Sequence, residues 1–580
     1  MLKQLAGCVR EYKRPTILTL IFIVGEAVIE TIIPFITANL VNRIKAGASI
    51  ESVMEVGLLL IIMAAISLVC GGLAGFTCAK ASTGFAKNLR SDLFHRIQTY
   101  SFENIDKFSS SSLVTRMTTD VTNVQMAFMM LIRIAIRSPL LLIFSTVMAF
   151  VMGGKLAFVF VVVIPILAIG LLAIGKKAMP AFRSVFKKYD RLNESIEENV
   201  RGMRVVKGFS REEYEKQKFN TAADNIRKDF TKAECIVALN TPLMNLCMYI
   251  NMVVVLLVGS KLAITSGGSA LDVGQISGML TYGMQILMSL MMLSMIYVMV
   301  TMSAESAKRI CEVLKEEPSL KEPETPVMEV KDGSIEFKNV NFKYSAKAKK
   351  YALSGIDLSI RSGMTVGIIG GTGSSKSSLV QLIPRLYDVT EGAVLVGGVD
   401  VRDYDIPALR SAVAMVLQKN VLFSGTIKDN LRWGNETATD EEIMEACRLS
   451  QADEFIQTFP DKYDTYIEQG GSNVSGGQKQ RLCIARALLK KPKILILDDS
   501  TSAVDTKTDA LIRAGFKNYI PDTTKIIIAQ RIASVEDADL IIVMDNGCIS
   551  AAGTHEDLLQ SSDIYREVYE QQTKGGNENE

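Results

Sequence analysis

The chain has 580 residues, of which 48% are hydrophobic, and its mean hydropathy of +0.23 is high for a soluble protein. This length predicts several domains, since one domain takes roughly 150 residues. The 64 basic and 62 acidic residues leave a net charge of only +2, which excludes the strong positive field expected of a nucleic-acid-binding protein.

The apolar excess lies in the first 300 residues, in runs long enough to cross a bilayer. A bilayer core of about 30 Å needs roughly 20 apolar residues in a helix. The predicted spans lie near residues 16–41, 56–79, 134–153, 156–178, 238–263 and 278–302. We therefore predict an all-α transmembrane domain of six helices over residues 1–315.

Basic residues are concentrated in alternate connections between these spans. The leading segment and the two long connections, after spans two and four, are rich in lysine and arginine, whereas the three short connections hold few charges. Since basic loops stay in the cytoplasm, both termini are predicted to be cytoplasmic. The long connections also show helical periodicity, so we expect helices to continue beyond the membrane.

Four charged residues lie within the predicted spans. Glu26 and Glu30 are one turn apart in span one, and Arg133 and Arg137 are one turn apart at the start of span three. A charge at the bilayer centre costs about 2.5–3.5 kcal/mol, so these groups need a cavity or a partner. Either the glutamates line a cargo pathway and favour cations, or the charges pair within the bundle or reach the headgroups.

The composition changes after the last span. Residues 316–332 are charged, proline-containing and without apolar periodicity, which predicts a linker. Residues 333–573 have the composition of a soluble domain, and the polar end at 574–580 predicts a disordered tail.

A strand–loop–helix unit surrounds "GGTGSSKSS", which is the context that a phosphate-binding loop requires. Backbone N–H groups and the helix N-terminus would attract phosphates, Lys376 would reach the β- and γ-phosphates, and Ser377 would bind Mg²⁺. The predicted ATP-binding residues of this loop are Gly370, Gly371, Thr372, Gly373, Ser374, Ser375, Lys376, Ser377 and Ser378.

The pattern GxxxxGK[ST] has a glycine where this chain has Ser375. If the loop needs a positive φ there, the side chain costs about 1–3 kcal/mol; if the position is helical, serine costs almost nothing. Farther along, "KILILDD" predicts an apolar strand that ends in Asp498 and Asp499, where a magnesium-directed carboxylate belongs.

Between these two motifs, "VSGGQKQRLCIARAL" carries SGGQ at Ser475, Gly476, Gly477 and Gln478, which resembles the signature of ABC transporter ATPases. Other motifs of that family follow in order: Tyr344 resembles the aromatic residue that stacks on adenine, Gln418 the Q-loop, Glu468 the X-loop acid, and Ser502 to Asp505 the D-loop. Six spans followed by one such module resemble a half-transporter of the multidrug exporter type.

The resemblance implies an α/β P-loop ABC nucleotide-binding domain that uses ATP and Mg²⁺, with Ser377, Gln418 and Asp498 as magnesium ligands. It also implies that the long basic connections are intracellular loops whose coupling helices rest on the nucleotide domains. The expected protein lies in the bacterial cytoplasmic membrane, contacts its lipids, and moves small amphipathic cargo out of the cytoplasm or inner leaflet.

Two positions depart from the family at its catalytic step. The family has a glutamate at the position of Asp499, whose carboxylate is one methylene shorter, and general-base assistance is worth about 10²–10⁴-fold. It has a histidine at the position of Gln530, and glutamine cannot carry a proton. We therefore expect a site that binds ATP but hydrolyses it poorly.

The intact signature is informative about the partner subunit, because in this family two nucleotide-binding modules bind ATP between them in a head-to-tail arrangement. A homodimer would have two weak sites, so we expect a heterodimer with a second half-transporter that carries the glutamate and the histidine. An ATP-regulated channel or sensor, and a lipid or peptide exporter, remain alternatives. The six spans and the low net charge argue strongly against a soluble ABC ATPase of DNA repair.

Overall fold

The computed structural model describes residues 2–269, 271–345, 348–499 and 505–576. They divide into two compact units. The helical unit comprises Met1–Gln98 and Ser109–Glu316, and the sheet unit comprises Thr99–Phe108 and Glu317–Glu580. The helical unit ends at Glu316, and residues 99–108 group with the sheet unit; the transmembrane-domain bounds of 1–315 stay a prediction.

The described residues before the linker form eleven α-helices, of which α4 belongs to the sheet unit. In chain order these are α1 (Leu2–Gly7), α2 (Lys13–Lys45), α3 (Ile50–Gln98), α4 (Phe102–Phe108), α5 (Ser110–Thr115), α6 (Val121–Gly153), α7 (Phe158–Arg201), α8 (Met203–Gly208), α9 (Glu212–Ala238), α10 (Asn240–Thr265) and α11 (Val273–Lys315). A π-helical turn, Arg116–Asp120, leads into α6.

Among the described residues, five continuous helical segments are long and apolar enough to cross a membrane. The third, Ser110–Phe182, has 73 residues and would be about 110 Å long if straight, more than three bilayer cores. It is interrupted by the 3-10 turn Gly154–Ala157, where Gly154 has φ 51°, a conformation that glycine adopts readily. The six predicted spans therefore fall in α2, α3, α6, α7, α10 and α11.

Several of these helices are longer than a membrane is thick. Helix α3 has 49 residues, which makes it about 74 Å long, and α7 and α11 have 44 and 43 residues. Each is at least twice the length needed for the bilayer core. The helical continuation expected from the periodicity of the long connections is therefore present.

The sheet unit contains twelve strands within the described residues. They are β1 (Ile335–Phe342), β2 (Leu353–Ile360), β3 (Thr365–Gly370), β4 (Glu391–Val396), β5 (Val399–Asp400), β6 (Val413–Val416), β7 (Gly425–Thr426), β8 (Tyr466–Ile467), β9 (Ile494–Asp498), β10 (Thr524–Ile528), β11 (Leu540–Asp545) and β12 (Cys548–Gly553). The main sheet has the order β12-β11-β3-β10-β9-β6, and a second, antiparallel sheet has the order β2-β1-β4-β5.

Helices follow or cover these strands. They are α12 (Lys376–Gln381), α13 (Ile406–Ala412), α14 (Ile427–Arg432), α15 (Asp440–Leu449), α16 (Asp453–Gln457), α17 (Gly476–Leu489), α18 (Thr506–Tyr519), α19 (His555–Ser561) and α20 (Asp563–Gly576). Because α20 continues to Gly576, residues 574–576 of the predicted disordered tail are helical instead; residues 577–580 lie outside the described part of the chain.

The middle of the main sheet fixes where a ligand can bind. Strands β9 and β10 are buried at every residue, as expected for parallel strands covered on both faces. Strands β11, β3, β10, β9 and β6 all run parallel, so their carboxyl ends meet at one edge. In sheets of this kind, ligands bind just beyond that edge.

Candidate nucleotide-binding site

Four neighbouring strands deliver the predicted site residues to one edge of the main sheet. Strand β3 leads into the loop before α12, β9 ends at Asp498, and β10 and β6 are followed by Gln530 and Gln418. Side chains far apart in sequence are brought together because these strands are parallel neighbours.

The loop between β3 and α12 is built around glycine. A Cβ atom on Gly370 would lie 2.2 Å from the carbonyl oxygen of Met544 and 2.7 Å from Ser374 Oγ, so a side chain does not fit there. Lys376 Nζ donates to the carbonyl oxygens of Gly370 and Gly371, at 2.8 Å each. Burial lowers the pKa of Lys376, an effect that Asp498 and Asp499 oppose. A phosphate would compete with the loop carbonyls for this ammonium group.

Ser375 lies at the N-cap of α12 with φ 70° and ψ 25°, in the left-handed region. This favours the first of the two alternatives, in which serine is strained, and the conformation costs a residue other than glycine about 1–2 kcal/mol. No hydrogen bond from the Ser375 side chain caps the helix. The substitution is therefore a departure with a measurable cost.

Ser377 and Asp498 form a pair of hard oxygen ligands. Ser377 Oγ donates to Asp498 Oδ1 at 3.0 Å. Asp498 is buried, and burial raises its pKa, as does Asp499, whereas the Ser377 hydrogen bond lowers it. A hydroxyl and a carboxylate at one point fit the preference of Mg²⁺ for oxygen. The third predicted ligand, Gln418, is placed differently: its Nε2 lies 3.3 Å from Asp499 Oδ2.

The two departures from the family pattern are in direct contact. Gln530 Nε2 donates to Asp499 Oδ2 at 2.8 Å, so this oxygen receives amide donors from both Gln530 and Gln418. The main chain at Asp499 is also held, because its N–H donates to the carbonyl oxygen of Ile528 at 3.1 Å. Neither amide can take up a proton.

Gln480 is a site residue that the sequence analysis missed. It is 1% exposed, and its Nε2 lies 3.5 Å from the carbonyl oxygen of Asp499, while its Oε1 is buried without a hydrogen-bond partner among the described residues. The sequence signal that could have identified Gln480 was a polar residue on the side of α17 that also carries the buried residues Leu482 and Cys483.

Tyr344 lies beside the phosphate-binding loop. Its hydroxyl is 2.7 Å from Ser378 Oγ, and its ring meets Phe342 and Tyr387 at interplanar angles of 72° and 89°. The residue is 43% exposed, which leaves surface for a base to stack on. The stacking of Tyr344 on adenine stays a prediction.

The signature residues begin α17. Ser475 Oγ accepts from the Gln478 N–H at 3.3 Å, and Gln478 Oε1 accepts from the Ser475 N–H at 2.9 Å, which is a capping box. Ser475 and Gly476 are exposed. Glu468 accepts from the Ser472 hydroxyl at 2.6 Å. In the predicted D-loop, residues 502–504 lie outside the described residues.

The charges in the helical unit form a cluster between α2 and α6. Arg137 Nη2 lies 2.6 and 2.8 Å from the two carboxylate oxygens of Glu30 and 3.6 Å from Glu26 Oε1. Arg133 lies near α3, with guanidinium nitrogens 3.9 Å from a Cβ built on Gly75. This arrangement favours pairing within the bundle, whereas a role of the four residues in a cargo pathway stays a prediction.

Comparisons with known proteins agree with this architecture. A family profile described as "ABC transporter transmembrane region" matches residues 16–290, and one described as "ABC transporter" matches residues 353–502. The ABC transporter ATP-binding protein YfiB of Bacillus subtilis (strain 168) is 36% identical over 555 residues, 96% of each chain. Rv1273c of Mycobacterium tuberculosis (strain ATCC 25618 / H37Rv), which carries the same description, is 35% identical over 564 residues, again 96% of each chain.

A solved structure, described as a bacterial Atm1-family ABC exporter with ATP bound, has the same fold: the TM-score is 0.85 at 23% identity, over 97% of this chain and 99% of that one. The comparisons confirm the resemblance to ABC half-transporters and the fold class predicted from the sequence. The helical unit makes it a membrane protein. The chain belongs to the ABC transporters, as a half-transporter that joins a transmembrane region to an ATP-hydrolysing domain.

Proposed function

We propose that this chain is one subunit of a heterodimeric, ATP-driven exporter, and that its own nucleotide site binds Mg-ATP but hydrolyses it slowly. The observation that carries the proposal is the contact between Gln530 Nε2 and Asp499 Oδ2 at 2.8 Å. The two residues that replace the family's base and its γ-phosphate contact are engaged with each other.

This contact weakens the step in which water is activated. A general base must accept a hydrogen bond from the attacking water, and Asp499 Oδ2 already accepts from Gln530 and Gln418. The side chain is also one methylene shorter than glutamate, and a misplacement of about 1 Å costs about 10²-fold in rate. Slow hydrolysis follows from both effects.

Binding of ATP is supported by the rest of the site. Lys376 and the loop N–H groups would hold the phosphates, Tyr344 would stack on adenine, and Ser377 with Asp498 would hold Mg²⁺. When bound, Mg²⁺ would supply charge neutralisation at the phosphates. The chain therefore keeps the residues that recognise the nucleotide, whereas the residues that complete hydrolysis are altered.

The signature supports the choice of partner. Ser475 and Gly476 lie exposed at the capped start of α17, where they are suited to complete the nucleotide site of a second half-transporter. That partner would supply the glutamate and histidine that this chain lacks. The basic long connections support a cytoplasmic sheet unit, in a protein of the bacterial cytoplasmic membrane, and the paired charges of the helical unit favour small neutral amphipathic cargo.

The proposal is tested by restoring the family residues. In the assembled pair, Asp499→Glu together with Gln530→His should raise ATP turnover by this chain's site by about tenfold or more, since a positioned general base contributes about 10²–10⁴-fold. The measurement is phosphate release by the purified pair at saturating Mg-ATP.

A matched control places the same two changes in a chain that also carries Lys376→Ala. The gain should disappear there, because the phosphates are no longer held. An unchanged rate after the double restoration, with ATP still bound, would contradict the assignment of a weak site to Asp499 and Gln530.

A further inference from the structure

We infer that Tyr387 is a positioning residue that ties helix α4 to the adenine-stacking ring of Tyr344, so that Asp106 on α4 tunes ATP affinity at this chain's site. The inference rests on the proposed function, since it requires that Tyr344 contact adenine. It concerns contacts inside the sheet unit, to which both α4 and Tyr387 belong.

The first link joins α4 to Tyr387. The Tyr387 hydroxyl donates to Asp106 Oδ2 at 2.7 Å, and the Phe102 ring lies 6.0 Å from the Tyr387 ring at an interplanar angle of 55°. Burial, followed by the Asp106 hydrogen bond, raises the pKa of Tyr387, so the hydroxyl keeps its proton and remains the donor. A hydrogen bond to a carboxylate is stronger than one between neutral groups.

The second link joins Tyr387 to the nucleotide site. The Tyr387 and Tyr344 rings lie 5.2 Å apart at 89°, an edge-to-face geometry favoured by aromatic pairs. The Tyr344 hydroxyl in turn lies 2.7 Å from Ser378 Oγ in the phosphate-binding loop. A continuous line of contacts thus runs from α4 through two tyrosines to the loop.

The α4 segment is also fastened to the start of the linker. Asn104 Nδ2 donates to the carbonyl oxygen of Glu317 at 3.1 Å, and Asn104 Oδ1 accepts from the Ser319 N–H at 3.1 Å. Ser101 Oγ and Ser319 Oγ are 2.6 Å apart. Because α4 is held on both sides, its position is defined, and Asp106 can fix the Tyr387 ring rather than follow it.

Loss of these contacts should weaken binding of the adenine base and not binding of the phosphates. Tyr344 is 43% exposed, so its orientation depends on the rings of Phe342 and Tyr387 that pack against it and on the bond to Ser378. Loss of the Asp106 bond frees Tyr387 and loosens the stacking surface. Among the described residues, the hydrogen bonds of Lys376, Ser377 and Asp498 go to the loop and to one another and not to the two tyrosines, so phosphate binding should be preserved.

The test compares two probes on the full-length protein by isothermal titration calorimetry. Mg-ATP carries the base, and Mg-tripolyphosphate offers only phosphates. We expect Tyr387→Phe and Asp106→Ala each to weaken ATP binding about three- to tenfold, the effect of one net hydrogen bond, and to leave tripolyphosphate binding unchanged. Asp106→Asn, which keeps an acceptor oxygen, should recover most of the affinity.

Glu103→Ala is the matched control, because it removes a carboxylate from the same helix that has no hydrogen bond to Tyr387 in the described structure; it should leave both affinities unchanged. Equal losses for both probes, or no loss for ATP, would overturn the positioning role. Lys376→Ala tests the proposed function separately: it should weaken both probes strongly, and if it weakens neither, the nucleotide site itself is wrongly assigned.

Discussion

Ser375 combines a side chain with a backbone conformation that suits glycine. Its φ of 70° and ψ of 25° are close to the ideal left-handed values, and Gly373 in the same loop has φ 84°. The loop therefore requires left-handed backbone at both positions, and only one of them has the residue that adopts it without strain. The strain lies next to Lys376, where it affects the path of the chain into α12.

We predict that Ser375→Gly stabilises the nucleotide-binding domain. Removing the Cβ atom should relieve about 1 kcal/mol of strain, even after allowance for the greater freedom of glycine in the unfolded chain. The measurement is the thermal unfolding midpoint of the full-length protein without nucleotide, which should rise. Ser359→Gly, the same chemical change at an exposed position in β2, is the control and should lower the midpoint; a fall with both variants would show that Ser375 is not strained.

The sequence was sufficient to predict which side chains lie together at the edge of the sheet, because a motif fixes them relative to a strand end; their roles in nucleotide binding stay predictions. Lys376, Ser377 and Asp498 lie where the loop and the acid-ended strand placed them. The bond between Gln530 and Asp499 could not be predicted, since it depends on β9 and β10 being neighbours and on the side-chain rotamers. The φ of Ser375 could likewise not be predicted, because two loop conformations are compatible with the same amino-acid sequence.

At the scale of elements, side-chain hydrogen bonds join the π-helical turn Arg116–Asp120 to α11. Asp120 is fully buried, and its carboxylate accepts from Arg309 Nε at 2.7 Å and from Nη2 at 2.5 Å. Arg116 Nη1 donates to the carbonyl oxygen of Arg309 at 2.6 Å. A π-helical turn is rare, and these side chains hold the start of α6 against α11.

We predict that Arg309→Met is strongly destabilising. It leaves a buried carboxylate without its cation, which costs about 3 kcal/mol, the lower end of the range for a broken buried pair, because the Arg309 side chain is 47% exposed. Asp120→Asn should cost less, and the two changes together should cost less than Arg309→Met alone. Denaturant titration in mixed micelles gives the free energies of unfolding.

The control for this pair is Arg201→Met. It breaks the bridge between Arg201 and Glu197, whose side chains are 79% and 57% exposed, and such surface pairs contribute about 0–1 kcal/mol. If Arg309→Met cost no more than this variant, the contact between the π-helical turn and α11 would not be a structural tie.

At the scale of the whole molecule, the charge cluster between α2 and α6 bears on what the transporter accepts. Arg137 contacts both Glu30 and Glu26, so the carboxylates are compensated within the protein. We predict that replacing Glu26, Glu30 and Arg137 together by glutamine leaves the preference between cationic and neutral dyes unchanged. The measurement is ATP-dependent dye uptake into inside-out vesicles carrying the assembled pair.

Arg137→Gln alone is the informative counterpart, because it leaves two carboxylates without their partner. It should raise uptake of the cationic dye relative to the neutral one about fivefold, as expected for about 1 kcal/mol of charge attraction. A selective loss of cationic uptake in the triple variant would instead show that the glutamates serve cargo. Passive equilibration without accumulation would favour the channel alternative.

The sequence predicts a division of the chain at the linker but not within the first connection. Six apolar runs and one motif-bearing half predict two domains, and α11 ends at Lys315. The segment "SFENIDKF" has helical periodicity, but its periodicity does not say which unit it joins. That depends on Phe102 and Asp106 meeting Tyr387, nearly 300 residues later in sequence.

The presence of residues 99–108 in the sheet unit has a consequence for biosynthesis. The ribosome makes this segment before most of the transmembrane helices and long before β1. The segment can therefore contact the sheet only after the sheet has been synthesised. The sheet unit therefore acquires the contacts of this segment only when both parts of the chain are present. A fragment that starts at the linker would leave the Tyr387 hydroxyl without Asp106 and its ring without Phe102, so the part of the chain that is made last depends for these contacts on a segment that is made early.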